Sequence, residues 1–150
     1  MESITLQTGE TIVVSGDSLG QIQFAASAES DGSASRLIAA KVYAIAEGSF
    51  SSTKNATSII LSTAEADASA ATDKIKISDK GHILPMTDAS YDLGDSNLQF
   101  KTGYFSEGIV LAANTPSSTT NKLYNEGGTL KFNGSPVAGG GGAVLCLWQP

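Results

Sequence analysis

The only histidine of this 150-residue chain is His82, which follows a turn glycine and precedes Ile83. In a Ser-His-Asp triad the imidazole must meet both a nucleophile and an orienting carboxylate. The immediate context of His82, a turn that enters a short apolar run, instead predicts an exposed or stacked side chain. Three copies of the chain near a common axis would offer three imidazoles to a metal ion, and this second interpretation stays open.

A group of carboxylate and amide side chains, Asp88, Asp92, Asp95 and Asn97, has the oxygen ligands that calcium prefers. An EF-hand loop needs oxygens at alternating positions, a glycine at the sixth position and a glutamate at the twelfth. The spacing here is four, three and two residues, and the final glutamate is missing. The group therefore predicts solvated loops closed by Asx-turns.

The other residues with chemical potential do not form a recognisable site. Cys146 is the only cysteine, which excludes an internal disulfide and a multi-thiolate metal site. The four glycines at 139–142 are followed by alanine rather than by the Lys-Ser/Thr of a phosphate-binding loop. Paired carboxylates for glycoside cleavage stay open, because their separation is a property of the folded chain. We predict no catalytic residue, no cofactor, no metal ligand and no enzymatic activity.

The composition indicates a soluble chain with little capacity to build a core alone. Only 16% of the residues are charged and 7% are aromatic, and the net charge is −6. Small side chains bury little apolar surface, which contributes about 25 cal/mol per Å², so partners must supply the missing burial. Without a concentration of Lys or Arg the chain does not suit nucleic acid. It also lacks a long apolar run for membrane insertion and a recognisable signal peptide.

Residues 74–111 are the part of the chain around which the remainder is organised. Ile75 and Ile77 alternate with polar residues, which is the period-2 pattern of a half-buried strand. An Asp-Lys-Gly turn follows at 79–81. Further short strands, separated by glycines, are predicted at 83–84, 98–104 and 109–111.

Upstream, alternating or β-branched runs predict strands at 4–6, 11–14, 21–25 and 58–62. Residues 36–48 are ambiguous, because their alanine-rich sequence would also suit a helix of about three turns. The same residues alternate, however, and no capping box precedes them. We favour a strand that is buried on both faces, where near-continuous small apolar residues are expected.

Downstream, residues 122–132 predict a hairpin around an Asn-Glu-Gly-Gly turn. The glycines at 139–142 form a flexible linker by composition. An apolar octapeptide follows, and we expect it to dock through Val144, Leu145, Leu147 and Trp148 rather than remain in water. Its target is left open between the chain's own assembly, another protein and a further domain. The patterns divide the chain into an N-terminal β module (1–70), a shaft-like β module (71–137), the linker (138–142) and the apolar tail (143–150).

The order of the motifs in 74–111 resembles the shaft modules of tail-fibre and other virion appendage proteins of tailed bacteriophages. These motifs are an alternating strand, Asp-x-Gly, Ile-x-Pro, Tyr-Asp-Leu-Gly and Gly-Tyr-Phe. Residues 20–27, 39–50 and 121–134 are similar to other segments of the same proteins. The resemblance therefore covers most of residues 20–137.

The resemblance implies an all-β, elongated and intertwined homotrimer that forms part of a tail fibre or similar appendage involved in host attachment. It implies a virion protein made in the host cytoplasm, whose partners are its own copies, other virion proteins and a host surface glycan or protein. The side chains expected to form the shared trimer core are Ile75, Ile77, Ile83, Leu93, Phe100, Tyr104, Ile109 and Leu111. The alternatives are a small β-sandwich with its own core, a capsid decoration or head-fibre protein, and a glycan-binding or glycan-cleaving β domain.

Overall fold

The computed structural model describes residues 2–25, 37–66, 68 and 70–137. Within these ranges there is no helix, and hence none that is able to cross a membrane. The regular structure consists of a five-stranded and a three-stranded antiparallel sheet. The predicted all-β fold is confirmed. By contacts the chain separates into two compact units, Met1–Gln99 and Phe100–Pro150.

The first unit contains the five-stranded sheet, in which each strand pairs with the next along the chain. Its strands are β1 (Ser18–Phe24), β2 (Ala40–Ala46), β3 (Thr57–Thr63), β4 (Thr72–Ile77) and β5 (Ile83–Pro85). The predicted turn between β4 and β5 is present, with Gly81 at a φ of +79°. Pro85 closes β5 at the edge of the sheet, where a residue without an N–H is tolerated.

The ambiguous segment 36–48 contains strand β2, which confirms the preference for a strand over a helix. Antiparallel partners on both sides, β1 and β3, satisfy its backbone. The expected burial on both faces is not reached within one chain, because only Ala46 of this strand is fully buried.

The second unit contains the three-stranded sheet of β6 (Leu123–Glu126), β7 (Thr129–Phe132) and β8 (Ser135–Pro136). Gly127 and Gly128 join β6 to β7 at positive φ values of 56° and 91°. Two successive positive φ angles are what a tight two-residue hairpin requires. The predicted hairpin is therefore confirmed.

The predicted strands at 4–6, 11–14, 98–104 and 109–111 are wrong for the single chain. These segments carry suitable side chains, but they join neither of the two sheets. A strand exists only when a second backbone takes up its N–H and C=O groups, and the sequence of one segment does not say whether such a partner lies beside it.

The predicted boundary between residues 70 and 71 falls between β3 and β4, which pair along most of their lengths. A sheet is one cooperative unit of backbone hydrogen bonds, so both strands belong to the first compact unit. By contacts the chain divides after Gln99, and the predicted modules stay a prediction. The predicted linker 138–142 and the apolar tail 143–150, with Val144, Leu145, Leu147 and Trp148, lie outside the described residues.

The core formed by one chain is small. Among the described residues, the fully buried hydrophobic side chains are Ala46, Ile60 and Tyr124, whereas 25 large hydrophobic side chains are exposed. Isolated exposed apolar side chains are ordinary, but contiguous patches of them mark interaction surfaces. Whether these exposed side chains form an interaction surface therefore depends on whether their positions on the sheets are contiguous.

Candidate assembly surface

One side of the five-stranded sheet is apolar from edge to edge. Directly opposed residues of antiparallel strands project to the same side, and the strand register aligns two complete rows across all five strands. The first row is Ile22, Val42, Leu61, Ile75 and Pro85, and the second is Gly20, Ala44, Ile59, Ile77 and Ile83. We call these ten residues, together with the neighbouring pair Phe24 and Ala40, the apolar face.

Much of the apolar face is accessible in the single chain. Ile83 is 74% exposed, and the exposed set also contains Ile22, Phe24, Ile59, Leu61 and Ile77. Of the predicted trimer-core residues, Ile75, Ile77 and Ile83 are brought together on this face. Their grouping is the structural feature that most favours assembly, because burial of an aliphatic side chain contributes about 1.5–3 kcal/mol.

The opposite side of the sheet has a hydrogen-bond network centred on Asp73. Ser62 Oγ donates to Asp73 Oδ1 at 2.6 Å, and Tyr43 OH donates to Oδ2 at 2.8 Å. Lys41 Nζ lies 3.6 Å from Oδ1 and 4.2 Å from the centroid of the Tyr43 ring. Burial opposes the ionisation of Asp73, but the donated hydrogen bonds and the Lys41 charge hold its pKa below the ordinary value. Burial, followed by the hydrogen bond to Asp73 and its charge, raises the pKa of Tyr43 to about 12.

A second polar group lies on the same side as Asp73. Ser58 Oγ donates to Glu47 Oε1 at 2.5 Å, and Lys76 Nζ lies 3.3 Å from the same oxygen. These two contacts lower the pKa of Glu47. Ser58 is completely inaccessible, and within the described ranges no buried side-chain nitrogen or oxygen lacks a hydrogen-bond partner. One chain therefore satisfies the hydrogen-bonding groups of the polar side, whereas it leaves the side chains of the apolar face exposed.

The other predicted core residues do not lie on the five-stranded sheet. Leu93 is in the irregular segment that follows β5, and it is 84% exposed. Phe100, Tyr104 and Ile109 are exposed in the irregular part of the second unit. Leu111 is half-buried there, and its carbonyl oxygen accepts a hydrogen bond from Asn125 Nδ2 at 3.1 Å. These residues stay predicted core positions.

The small sheet of the second unit has an apolar side of its own. Leu123 pairs with Phe132, and Leu130 follows on the same side, opposite Asn125. The three apolar side chains are all exposed. A cleft of about 390 Å³ beside β6 is lined by Val110, Leu111, Ala112, Asn114, Pro116, Lys122, Leu123 and Tyr124.

Sequence reasoning missed Ile22, Val42, Ile59 and Leu61 as members of the apolar face. The run Ile59-Ile60-Leu61 is apolar at every position, so its alternation is invisible in the sequence alone. The flanking serines indicate the period-2 pattern, because Ser58 and Ser62 lie on the same side of the strand as Ile60, and Ile59 and Leu61 lie on the other side. In the structure the first three are buried and the last two are exposed.

The polar residues considered for chemistry have structural roles. The backbone of His82 closes the β4–β5 turn, where Ser78 N donates to His82 O at 2.9 Å, and the residue is exposed. Asp95 Oδ1 accepts hydrogen bonds from the N–H groups of Asn97 and Leu98 at 2.6 and 2.9 Å, which lowers its pKa. The predicted Asx-turn is confirmed there. In the part of the chain that the structure describes, no group of three or more His, Cys, Asp or Glu side chains is placed to hold a metal ion.

Sequence reasoning also missed that Gly16-Asp-Ser-Leu-Gly20 has the Gly-x-Ser-x-Gly spacing of a nucleophile elbow. An elbow needs a strand-to-helix turn, but Ser18 is instead the first residue of edge strand β1. His82 precedes β5 at the opposite edge of the sheet. Four strand spacings of about 4.8 Å place the two edges about 19 Å apart, so one chain cannot join Ser18 and His82 in a triad.

The fold defines the class of protein: an all-β module of antiparallel sheets whose larger sheet exposes one apolar face. Two solved structures share this fold. The carboxy-terminal domain of the bacteriophage T5 L-shaped tail fibre, solved with its intramolecular chaperone domain, superposes with a TM-score of 0.54 at 20% sequence identity and covers 65% of this chain. A structure of the carboxy-terminal domain of the same tail fibre gives a TM-score of 0.51 at 21% identity and also covers 65%.

The chain spans 25% and 35% of the lengths of those two chains. No protein-family model and no curated protein matches its sequence. At this level of identity the likeness establishes the fold. The chain has a tail-fibre-like fold, as the resemblance of its motifs predicted.

Proposed function

We propose that this chain is a structural subunit of a bacteriophage tail fibre or similar virion appendage, and that it assembles as an elongated homotrimer. The three apolar faces pack against one another along the trimer, and the polar sides of the three sheets face water. The other virion proteins of the appendage are its partners, and the assembly takes part in attachment to a host surface glycan or protein.

The observation that carries this proposal is the exposed apolar face, with its ten aligned positions across five strands. A domain is stable by only about 5–15 kcal/mol, so water contact of six large side chains is a substantial loss of favourable burial. The same sheet satisfies its polar side internally through Asp73 and Glu47. The asymmetry between the two sides supports assembly through the apolar side.

The threefold number and the role in the virion rest on the resemblance to appendage shafts and on the tail-fibre-like fold. Leu93, Phe100, Tyr104, Ile109 and Leu111 enter the shared core in this proposal, because each is an apolar or aromatic side chain that its own chain leaves fully or partly exposed. Residues 51–56, between β2 and β3, are exposed and free to contact neighbouring proteins or the host.

The mass of the full chain in solution, measured by light scattering, tests the assembly. We expect three times 15.3 kDa. A monomer that persists at high concentration would contradict assembly through the apolar face, and a dimer would contradict the threefold number. A chain that ends at Ala138 tests the apolar tail, because unchanged trimer mass would assign Val144, Leu145, Leu147 and Trp148 to docking outside the trimer.

The place in the virion requires its own experiment. Gold-labelled antibodies against the chain, applied to intact particles, should label the tail. Labelling confined to the capsid would contradict the tail-fibre role in favour of a head fibre.

A further inference from the structure

The backbone of the N-terminal segment lies directly on Gly20, at the start of the apolar face. A Cβ atom added to Gly20 would lie 2.7 Å from Leu6 Cβ and 3.1–3.2 Å from the Leu6 carbonyl carbon and oxygen. A distance of 2.7 Å does not occur between real Cβ atoms and their neighbours, so glycine is the residue that permits the approach. Gly20 pairs with Ala44 in β2, so a second small residue lies beside the position that Leu6 contacts.

The two small residues leave a groove in the apolar face. A cleft of about 190 Å³ is lined by Leu6 together with Gly20, Gln21, Ile22, Val42, Tyr43, Ala44 and Ile59. From Ala44 the same row continues through Ile59 and Ile77 to Ile83. This row is thus low at its β1–β2 end and high at its β4–β5 end, and the N-terminal segment lies on the low end at Gly20.

The N-terminal segment is also held where it enters β1. Val14 N donates to Asp17 Oδ2 at 2.7 Å, and Phe50 N donates to Val13 O at 3.0 Å. Between this anchor and Leu6, the apolar side chain of Ile12 is 77% exposed, and Ile4 on the far side of Leu6 is 92% exposed. The segment therefore uses one apolar side chain to contact its own sheet and leaves others facing away from it.

We propose that residues 2–14 form a clasp, in which Leu6 lies on Gly20 of its own chain, at the edge of the cleft, while Ile4 and Ile12 contact the apolar face of a neighbouring copy. The clasp covers the low end of the Gly20–Ala44 row, and it adds a contact that crosses between copies. The inter-copy half of this inference rests on the proposed assembly. The contact between Leu6 and Gly20 does not.

An engineered disulfide tests the contact between Leu6 and Gly20. In a chain with Cys146→Ser, the pair Leu6→Cys and Gly20→Cys needs its Cβ atoms to move from 2.7 Å to about 3.8 Å apart, which the exposed segment can accommodate. We expect oxidation to close the bond within one chain, read as protection of both thiols from alkylation and unchanged mobility under denaturing, non-reducing conditions. The control pair, Leu6→Cys with Gly48→Cys, should stay reduced, since no atom lies near the added Cβ at Gly48. Free thiols, or a disulfide between two chains, would contradict the contact between Leu6 and Gly20 within one chain.

The association constant tests the contact between copies. Ile4→Ser and Ile12→Ser should each weaken trimer formation about 10- to 100-fold for each of the three clasp contacts, because every contact loses one buried aliphatic side chain. Thr11→Ser, in the same segment, is the control and should leave association unchanged. If the parent chain forms trimers and neither Ile variant differs from the control, the clasp is overturned and the proposed function stands. If the parent chain is a monomer, the proposed function and the inter-copy contact fail together, and the disulfide still tests the contact between Leu6 and Gly20.

Discussion

Ile59 of β3 and Ile77 of β4 are directly paired across the sheet, yet they remain 42% and 37% exposed. Directly opposed side chains of an antiparallel pair lie on the same side of the sheet, and both of these aliphatic side chains are open to solvent. On the opposite side of the same sheet, Ser58 and Ile60 are buried. Contact with a second copy would therefore bury more apolar surface on the apolar face than on the polar side.

Ile59→Asp should abolish association, because assembly would then bury an unpaired carboxylate. We expect at least a 100-fold loss in the association constant, measured by sedimentation or light scattering, with the β signal in circular dichroism retained. Gln23→Asp is the matched control, since Gln23 pairs with Lys41 on the opposite side of the sheet. Equal association of the two variants would refute the role of the apolar face.

Tyr43→Phe should remove a titration step near pH 12. The pKa of Tyr43 is raised from 10.0 to about 12, so the phenol loses its proton later in the folded state than in the unfolded state. The associated stability is complete below pH 10 and is lost as the pH rises towards 12. The difference in absorbance at alkaline pH between the parent chain and Tyr43→Phe measures this group alone. A midpoint at 10 would show that the bond to Asp73 does not persist in solution.

Asp73→Asn should lower the stability and flatten its acid dependence. The pKa of Asp73 is lowered in the folded state, so its contribution is complete above the unfolded value of 3.8 and is lost as the pH falls through the folded value. At neutral pH we expect a loss of about 1–3 kcal/mol, because the donors Ser62 and Tyr43 lose a charged acceptor. Urea unfolding across the acid range measures both effects. Asp79→Asn, in the exposed turn, is the control, and an identical pH profile for the two variants would refute the assignment.

Alanine at Gly127 or Gly128 should destabilise the β6–β7 hairpin by about 1–2 kcal/mol, because an L side chain disfavours positive φ. No atom lies near an added Cβ at either position, so backbone strain is the only cost. Gly108→Ala is the control, since Gly108 has equal space but no positive φ. Thermal melting of variants in the same oligomeric state measures the difference. Equal melting temperatures would contradict the turn geometry.

The local periodicity of the sequence predicted strands β1 to β7, but not the two-residue strand β8. The alternation of polar and apolar residues predicted β1 and β4, and it favoured a strand over an alanine-rich helix at β2. The paired glycines predicted the β6–β7 hairpin. These features depend on neighbours within a few residues, which is the range over which side-chain alternation and positive φ angles operate. The same reasoning failed at 98–104 and 109–111, where side chains suit a strand but the single chain provides no neighbouring backbone.

The sequence by itself determined the β character of the chain, most of its turn positions and the alternation of polar and apolar residues in β1 and β4, because these follow from residue types at fixed spacing. The tertiary structure alone decided the register. Register aligns Ile22, Val42, Leu61, Ile75 and Pro85 into one row, and it brings Tyr43 within 2.8 Å of Asp73, thirty residues along the chain. A slip of one residue between two strands would turn every side chain of one of them to the other side, so the apolar face exists only because four separate strand pairings agree.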